Sequence, residues 1–388
     1  MATLTQGPGA MLEVLFWGSV CVLGYVYAGY PVLAVALARM RPRASRKQAM
    51  TPSVTVIITA YNEENDIAQK VRNVLALDYP PQQIDVIVAS DASSDGTDRA
   101  VRDLDAANVR LLRVEGRQGK TACQNAAAAA ASGEVLLFTD ATTRIETQAL
   151  RAMTRNFHDP EVGCVAGRLS YVAQHDDATG RGGTSYWNYE IALRMAESDL
   201  GSLIGVSGCL YAVRRGAYRE IAPELISDFV VAMVVREQGL RTVLEPDAMC
   251  YEQTLDHPDR ELAMRVRVGM RSLSALASQK RFLNPFKFGA FAWQLWSHKL
   301  LRYLSPVFWM IALLANLALA LQGRYLWLLA LQLLLLCSGL LGFTSLRLAG
   351  KSRLLAKPYY FLLTNLASAV SLFRFLRGER IVTWTPQR

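Results

Sequence analysis

The sequence predicts an α/β domain that apolar segments hold at a membrane. From Val54 to about Glu252, short β-branched runs alternate with helix-like stretches, the pattern of strands and crossover helices in an α/β sheet. Apolar stretches long enough to enter a bilayer lie on both sides of this region. Asp91 and Asp140 each end a strand-like run, and Asp228 opens a helix-like one. Because open α/β sheets bind ligands at the carboxyl ends of their strands, we expect a ligand site at this edge, beside a membrane.

The composition favours a membrane-anchored protein. The chain has 388 residues, of which 52% are hydrophobic, enough for one soluble domain and several membrane segments. Much of the net charge of +9 flanks the apolar segments, at 41–47, 299–302 and 351–357. This placement is typical of anchoring beside anionic lipid, so we expect contact with membrane lipid and no nucleic-acid partner. None of the six cysteines lies in a C-x-x-C pair, which indicates neither a zinc site nor a disulfide framework.

Residues 11–40 are predicted to form an N-terminal transmembrane helix. The stretch 11–37 is almost wholly apolar and exceeds the ~20 residues needed to cross a bilayer. A signal peptide is the alternative, but residues 1–10 carry no Lys or Arg and no small-residue cleavage site follows. The basic stretch 41–47 places the N-terminus outside and the next domain in the cytoplasm.

The α/β domain is predicted over residues 51–258. Strands are expected at 54–58, 84–89, 109–113 and 134–139, and helices at 63–77, 97–106, 121–132 and 230–238. The third helix holds six consecutive alanines, the residue of highest helix propensity. We expect this helix to pack tightly against the sheet rather than to form a low-complexity segment.

Residues 259–300 are predicted to lie at the membrane surface. The stretch 260–280 has the pattern of a basic amphipathic helix. The stretch 286–298 is rich in Phe and Trp, which is typical of an interfacial helix at headgroup depth.

Residues 301–378 form the predicted C-terminal membrane region, followed by a tail at 379–388. Spans are expected at about 303–321 and 325–346, whereas a last apolar run, 359–373, is only marginally long enough to cross. If that run spans, the basic tail lies outside, against the positive-inside tendency. A re-entrant or interfacial segment removes the conflict.

Two polar loops follow the first two predicted strands. Residues 59–63 read Thr-Ala-Tyr-Asn-Glu, and residues 90–97 read Ser-Asp-Ala-Ser-Ser-Asp-Gly-Thr. Both are strand-to-helix loops, so both are expected at the same edge of the sheet. A turn and helix N-cap explain the Asp-Gly-Thr of the second loop, but not two such loops at one edge.

These two loops resemble the opening motifs of the inverting glycosyltransferase family that contains cellulose and hyaluronan synthases. The resemblance implies a GT-A fold, a Rossmann-like mixed sheet that binds a nucleotide sugar. It further implies that Asp91 accepts the uracil N–H and that Ala60, Tyr61 and Glu63 line the nucleoside pocket. The family usually has two adjacent aspartates where this chain has Ser90 before Asp91.

Lys120 and Asp140 are the predicted residues for the donor's phosphates. Lys120 follows a glycine at a helix N-terminus, where it is well placed to meet a phosphate, although a solvated lysine is the alternative. In the family that the chain resembles, an Asp-x-Asp binds a divalent cation, Mg²⁺ or Mn²⁺, between the two phosphates. Here the motif is Asp140-Ala141-Thr142, so Asp140 is the expected ligand, Thr142 a weaker one, and metal affinity should fall. A strand-end turn is the alternative for Asp140.

The sugar and the catalytic base are assigned by the same resemblance. Ser207, Gly208 and Cys209 lie in a glycine-rich stretch that resembles the family's loop below the donor sugar, although a simple bulge has the same composition. Asp228 resembles the aspartate that deprotonates the acceptor hydroxyl, with Ser227 in place of the usual preceding acid. An N-cap role for Asp228 is compatible with catalysis.

Arg267 matches the arginine of the family's acceptor-side motif and would offset the charge of the diphosphate. Met264 and Val268 replace the polar residue and the tryptophan of that motif. The tryptophan would stack on the acceptor sugar of a growing polymer, so its replacement weakens a processive interpretation.

The sequence therefore predicts a multi-pass, inverting glycosyltransferase of the inner (plasma) membrane with a cytoplasmic catalytic domain. It would transfer a sugar from a nucleoside-diphosphate donor, UDP-linked, to a lipid-linked or polysaccharide acceptor in exopolysaccharide or cell-surface glycan synthesis. One alternative is a processive synthase of the hyaluronan or cellulose type, which the few membrane segments disfavour. The other is a non-catalytic nucleotide-sugar-binding membrane protein, which Thr142 permits.

Overall fold

The computed structural model describes residues 8–172, 178–253, 258–344 and 353–381. The N-terminal helix is unbroken from residue 8 to residue 40. It consists of α1 (Pro8–Gly24), a π-helical segment (Tyr25–Gly29) and α2 (Tyr30–Met40). The helix includes all of the N-terminal segment predicted from the sequence.

The central domain is built on one eight-stranded mixed sheet. Its strands are β1 (Val54–Ala60), β2 (Ile84–Asp91), β3 (Val109–Val114), β4 (Val135–Asp140), β5 (Arg144–Ile145), β6 (Val162–Val172), β7 (Leu210–Arg214) and β8 (Arg241–Gln253). The strand order is β3-β2-β1-β4-β7-β6-β8-β5. Strands β1 to β4 are parallel, β7 is antiparallel to both β4 and β6, and β5 is antiparallel to β8. The predicted α/β class is confirmed.

In the described part of the domain, six helices accompany the sheet. They are α3 (Ile67–Leu75), α4 (Thr97–Arg102), α5 (Lys120–Ala130), α6 (Ala149–Thr154), α7 (Ala178–Leu200) and α8 (Ser227–Glu237). Helices α3 and α4 are shorter than predicted. Asp105 has a φ of 42°, and this left-handed backbone is incompatible with the predicted continuation of α4 to residue 106.

The sheet is buried on both faces because its strands alternate between two cores. Val56 and Ile58 of β1 pack with Val71 of α3 in one core, and Ile57 packs with Ala127 of α5 in the other. The alanine-rich helix thus packs against the sheet, as predicted. Both cores include residues of β4, the strand that ends at Asp140.

The C-terminal part is helical. Its helices are α9 (Pro258–Ser278), α10 (Pro285–Phe288), α11 (Ala290–Gln294), a π-helical segment (Leu295–Leu300), α12 (Leu301–Ala320), α13 (Leu326–Thr344) and α14 (Arg353–Leu376). The helix that begins at Ala290 continues without a break to Ala320, so it joins most of the predicted interfacial helix to the predicted span. Gly289, with a φ of 53°, separates it from α10.

Within the described ranges, four helices are long and apolar enough to cross a membrane. They are Gly9–Met40, Ala290–Ala320, Leu326–Phe343 and Ala356–Leu376. The last contains the run that the sequence left as marginal. Of the predicted tail, residues 382–388 lie outside the described residues.

Candidate active site

A cavity of about 540 Å³ lies between the carboxyl edge of the sheet and the helices α7, α9, α12 and α14. Its wall includes nine of the twelve residues to which the sequence assigned a role: Glu63, Lys120, Asp140, Thr142, Ser207, Gly208, Cys209, Asp228 and Arg267. The parallel register of β1 with β2 and β4 pairs Ala60 with Ser90 and Thr59 with Asp140. The two polar loops therefore lie at one edge of the sheet, as expected.

Lys120 and Asp140 form an ion pair at the cavity wall. Lys120 is the first residue of α5, and Asp140 is the last residue of β4. Burial by itself lowers the pKa of Lys120, but the nearby charges of Asp140 and Asp228 outweigh it and leave that pKa raised. The ammonium group therefore stays charged and can attract an anionic ligand.

Asp228 lies in the first turn of α8 and faces the same cavity. Burial raises the pKa of this carboxyl group above its ordinary value, and the charges of Lys120 and Arg271 oppose part of that rise. A carboxylate whose pKa is raised is a stronger base than an exposed aspartate. The arrangement therefore suits proton abstraction.

Gly208 brings the backbone into contact with these charged groups. A Cβ atom built at this position would lie 2.9 Å from Oδ2 of Asp228 and 3.1 Å from Nζ of Lys120. The same loop is tied to α8, because the backbone N–H of Val206 donates to the carbonyl oxygen of Asp228 at 2.8 Å. A side chain at this position would have to displace the Asp228 carboxylate or the Lys120 ammonium group, and glycine leaves both in place.

Lys70 supports the Asp140 strand end from inside the domain, a role that the sequence did not reveal. Its ammonium group donates to Oγ1 of Thr139 at 2.8 Å and to the carbonyl oxygen of Thr143. Thr139 Oγ1 in turn donates to the carbonyl oxygen of Cys209 at 2.8 Å. Burial lowers the pKa of Lys70 to about 7. The sequence signal that Lys70 is buried was its spacing, since Lys70 lies on the apolar face of α3 between Ile67 and Val74.

Glu252 is a second residue that the sequence did not single out. It lies next to the end of β8, and Sγ of Cys209 donates to its Oε2 at 3.1 Å. Burial raises the pKa of Glu252, and the charge of Asp140 raises it further, so the two carboxyl groups are close neighbours. The signal for Glu252 was its position near the end of the last strand of the α/β region.

Arg271 is a third such residue, one helical turn after Arg267 on α9. Both line the cavity opposite the sheet. The guanidinium group of Arg271 donates to the carbonyl oxygen of Leu225 at 2.9 Å. It is also one of the cations that lower the pKa of Asp228. The i, i+4 spacing from Arg267 was the available signal.

Asp91, Tyr61 and Ala60 are not among the described residues that line this cavity. The Asp91 carboxylate is 2% exposed and accepts from the backbone N–H groups of Gln118, at 2.7 Å, and Gly119, at 3.0 Å. The guanidinium carbon of Arg117 lies 3.2 Å from the ring centroid of Tyr61. In this structure Asp91 therefore anchors the loop that leads into Lys120. The roles of these three residues in binding the base stay predictions.

The oxygen donors beside Lys120 suit a hard divalent cation. Asp140 and Glu252 supply carboxylates, and Thr142 supplies a hydroxyl group on the same wall. In the part of the chain that the structure describes, no group of three or more His, Cys, Asp and Glu side chains is arranged to hold a metal ion. A cation here would thus have two carboxylates at most, besides the Thr142 hydroxyl group.

Part of the chain is similar to a known family and to curated proteins. Residues 55–222 match Glycosyl transferase family 2. A beta-monoglucosyldiacylglycerol synthase of Trichormus variabilis is 28% identical over 211 residues, which are 53% of this chain and 45% of the relative. A poly-beta-1,6-N-acetyl-D-glucosamine synthase of Staphylococcus aureus is 26% identical over 205 residues, 51% of this chain and 49% of the relative. The chain spans about half the length of the curated relatives that it matches.

A solved structure shares the fold over nearly the whole chain. It is a mannosyltransferase from Pyrobaculum calidifontis in complex with GDP-Man and Mn²⁺. The likeness covers 95% of this chain and 99% of that one, with a TM-score of 0.73 and 22% sequence identity. The predicted GT-A architecture is confirmed.

Proposed function

Because residues 55–222 form a glycosyl transferase family 2 domain, we propose that this membrane protein transfers a sugar from a nucleoside-diphosphate donor to a membrane-held acceptor with inversion. The observation that carries the proposal is the grouping of Asp228, Lys120 and Asp140 around Gly208 in one cavity. A single base and a phosphate-binding cation are what one in-line displacement at an anomeric carbon requires.

Asp228 acts as the general base. It takes the proton from the acceptor hydroxyl group while the acceptor oxygen bonds to the anomeric carbon and the bond to the phosphate oxygen breaks. Lys120 and Arg267 lie on either side of the cavity, where their charges stabilise the departing diphosphate. Gly208 keeps the loop close to Asp228 and Lys120 and leaves room for the sugar.

Asp140, Thr142 and Glu252 would hold a divalent cation, Mg²⁺ or Mn²⁺. When bound, the cation neutralises charge on the departing nucleoside diphosphate. The Mn²⁺ in the mannosyltransferase of the same fold supports this assignment. Because Thr142 offers a neutral hydroxyl group, the expected affinity is lower than for two aspartates.

The donor is a nucleotide sugar, and we propose UDP as its nucleotide. Asp91 would accept the uracil N–H, beside Ala60, Tyr61 and Glu63. GDP-Man in the mannosyltransferase of the same fold makes the GDP-sugars the first rival class to test.

A lipid-linked or polysaccharide acceptor fits the relatives, one named for a glucosyldiacylglycerol and the other for a polymer of N-acetylglucosamine. The basic residues that follow the N-terminal helix favour a catalytic domain on the cytoplasmic side of the inner membrane. Polymer synthesis is the second candidate, favoured by the staphylococcal relative. Sizing the product on a gel separates a ladder from a single glycoside.

Nucleotide release from a panel of UDP- and GDP-sugars tests the proposal, with full-length protein in micelles and with Mn²⁺, Mg²⁺ or chelator. We expect release from a UDP-sugar that depends on a cation and on Asp228. Donor binding without release from any sugar would instead support the non-catalytic alternative.

A further inference from the structure

The cavity does not end at the sheet but reaches the helices that are long enough to cross a membrane. Its far wall is formed by residues of three of them: Tyr27 of the N-terminal helix, His298, Lys299, Arg302 and Tyr303 of the helix from Ala290 to Ala320, and Thr364 and Ser368 of α14. We call this part the membrane-side end. A molecule with its tail in the bilayer can present its headgroup to Asp228 from this end.

Two π-helical segments meet at the membrane-side end. Tyr25–Gly29 interrupts the N-terminal helix, and Leu295–Leu300 precedes α12. The hydroxyl groups of Tyr25 and Ser297 are hydrogen-bonded at 2.7 Å, which joins the two segments. Such segments are rare and are often found at functional sites. Here each contributes at least one residue to the cavity wall.

Most charged groups at the membrane-side end are paired. Arg302 lies 2.9 Å from a carboxylate oxygen of Glu190, and the two ring nitrogens of His298 lie 2.8 Å from Glu190 and 2.7 Å from Glu197. These pairs join α7 to α12 and to the π-helical segment before it, and each of the two carboxylates has at least one such partner. These pairs therefore fix the cavity wall at the membrane-side end.

Lys299 is different. Among the described residues, no carboxylate oxygen lies within 4.0 Å of its ammonium nitrogen, and its charge acts on the carboxyl groups of Glu190 and Asp228 only from beyond that distance. That nitrogen lies 5.6 Å from the ring centroid of Phe229, the residue after Asp228. An ammonium group in a helix of this hydropathy is costly unless it has an anionic partner or lines a substrate path. Lys299 does line the cavity, so a partner can reach it there.

We propose that Lys299 binds the phosphate group of a lipid acceptor whose headgroup also carries the hydroxyl group that is glycosylated. The anchored phosphate would place this hydroxyl group near Asp228, because Lys299 and Asp228 line the same cavity and the Lys299 charge reaches the Asp228 carboxyl group. The hydroxyl proton passes to Asp228, the oxygen–carbon bond to the sugar forms, and the nucleoside diphosphate leaves. This inference rests on the proposed function and names the acceptor class for the same site.

A neutral hydroxyl lipid, such as a diacylglycerol, is the rival, because it offers nothing to Lys299. A phosphate brings oxygens that accept charge-assisted hydrogen bonds from an ammonium group. Two sources share this chemistry, a bulk phospholipid such as phosphatidylglycerol and a polyprenyl diphosphate sugar. Both enter the test as separate arms.

Lipid binding to the full-length protein in micelles tests the inference without any turnover. Native mass spectrometry would follow phosphatidylglycerol, a polyprenyl diphosphate sugar and diacylglycerol with the wild type and with Lys299→Met. We expect Lys299→Met to weaken binding of at least one phosphate lipid by about tenfold, because it removes one charge-assisted hydrogen bond. Lys299→Arg should restore the binding. Diacylglycerol should bind weakly and equally to all three proteins.

Lys287→Met is the matched control. The Lys287 ammonium group lies 5.5 Å from the ring of Phe288, much as Lys299 lies over Phe229, but Lys287 is exposed outside the cavity. The Lys287→Met protein should bind every lipid as the wild type does. Equal binding of both phosphate lipids by Lys299→Met and the wild type, or diacylglycerol as the tightest ligand, would overturn the inference.

Transfer assays separate the two proposals. Nucleotide release with product formed only on diacylglycerol or on a glycan would overturn the inference and leave the proposed function standing. Phosphate-lipid binding that depends on Lys299, with no nucleotide release from any donor sugar, would support the inference and overturn the proposed function. If both hold, Lys299→Met should raise the KM for the lipid more than it lowers kcat.

Discussion

Gly208 lies so close to Asp228 that no side chain fits at position 208 without displacing the Asp228 carboxylate. A Cβ atom at position 208 would lie 2.9 Å from Oδ2 of Asp228, closer than carbon and oxygen atoms approach without repulsion. The atoms it would meet are the ends of flexible side chains, Asp228 and Lys120, rather than backbone. A side chain here would therefore displace these two charged groups at little expense to the fold.

Gly208→Ala should lower kcat by about 100-fold, because a displacement of the order of 1 Å at a reacting group has that effect. The melting temperature should change little, since the displaced groups can rotate away. Gly216→Ala is the control, because a Cβ atom there meets nothing within 4 Å. Steady-state nucleotide release and a thermal melt check both. Wild-type turnover by Gly208→Ala would contradict the close approach.

Asp228→Asn should lower transfer by about 10²–10⁴-fold, the usual contribution of a general base, and leave donor binding largely intact. Burial raises the pKa of Asp228, so the ionised group is less stable in the folded protein than in the unfolded chain. The neutral amide removes that penalty, so the melting temperature at pH 7 should not fall. Donor titration calorimetry and a thermal melt measure the two effects. Full turnover by this variant would refute the role as base.

Activity should decline as the pH falls through the pKa of Asp228, because only the carboxylate accepts a proton. Lys120 is the strongest of the charges that hold this pKa down against burial. Removing that charge in Lys120→Met should raise the pKa, so the acid limb of kcat/KM moves to higher pH. Lys287→Met, an exposed lysine outside the cavity, should leave the limb in place. An acid limb at the wild-type position in Lys120→Met would exclude Asp228 as the titrating group.

The motif residues could be predicted because each lies at a strand end or a loop whose position local sequence reveals. Lys120, Asp140, Gly208 and Asp228 occupy one cavity, as their order along the chain indicated. Lys70 could not be found this way. Its partner Thr139 is 69 residues away, and hydrophobic periodicity carries no information about which distant strand a buried ammonium group will meet.

The boundaries of helices likewise could not be predicted from local sequence alone. The sequence placed an interfacial helix at 286–298, but the chain turns at Gly289 and then runs as one helix to Ala320. Aromatic composition indicates interfacial depth but does not define where a helix begins. That point depends on the left-handed backbone of one residue, Gly289, and on packing against α7, since Glu197 contacts His298.

Thr142→Asp should strengthen cation binding, because it restores a second carboxylate to the turn after β4. We expect the Mn²⁺ or Mg²⁺ concentration for half-maximal turnover to fall by about tenfold, since affinity for a hard cation rises with ligand charge. Thr142→Asn has a similar size without the charge and should leave that concentration near the wild-type value. A metal titration of nucleotide release compares the three proteins. No shift in Thr142→Asp would place the cation away from this turn.

Lys70→Met should change how stability depends on pH. Burial lowers the pKa of Lys70 from 10.5 to about 7, so between these values the unfolded chain binds a proton that the folded protein does not. The wild type should therefore gain stability as the pH rises through this window, by about 1.4 kcal/mol per pH unit from this group alone. The difference in stability between the wild type and Lys70→Met separates the contribution of Lys70 from that of the other titrating groups. Unfolding in denaturant from pH 7.5 to 10 measures it, with the exposed Lys287→Met as control. Parallel curves for wild type and Lys70→Met would mean that the pKa of Lys70 is the same in the folded and the unfolded protein, and would contradict the effect of burial.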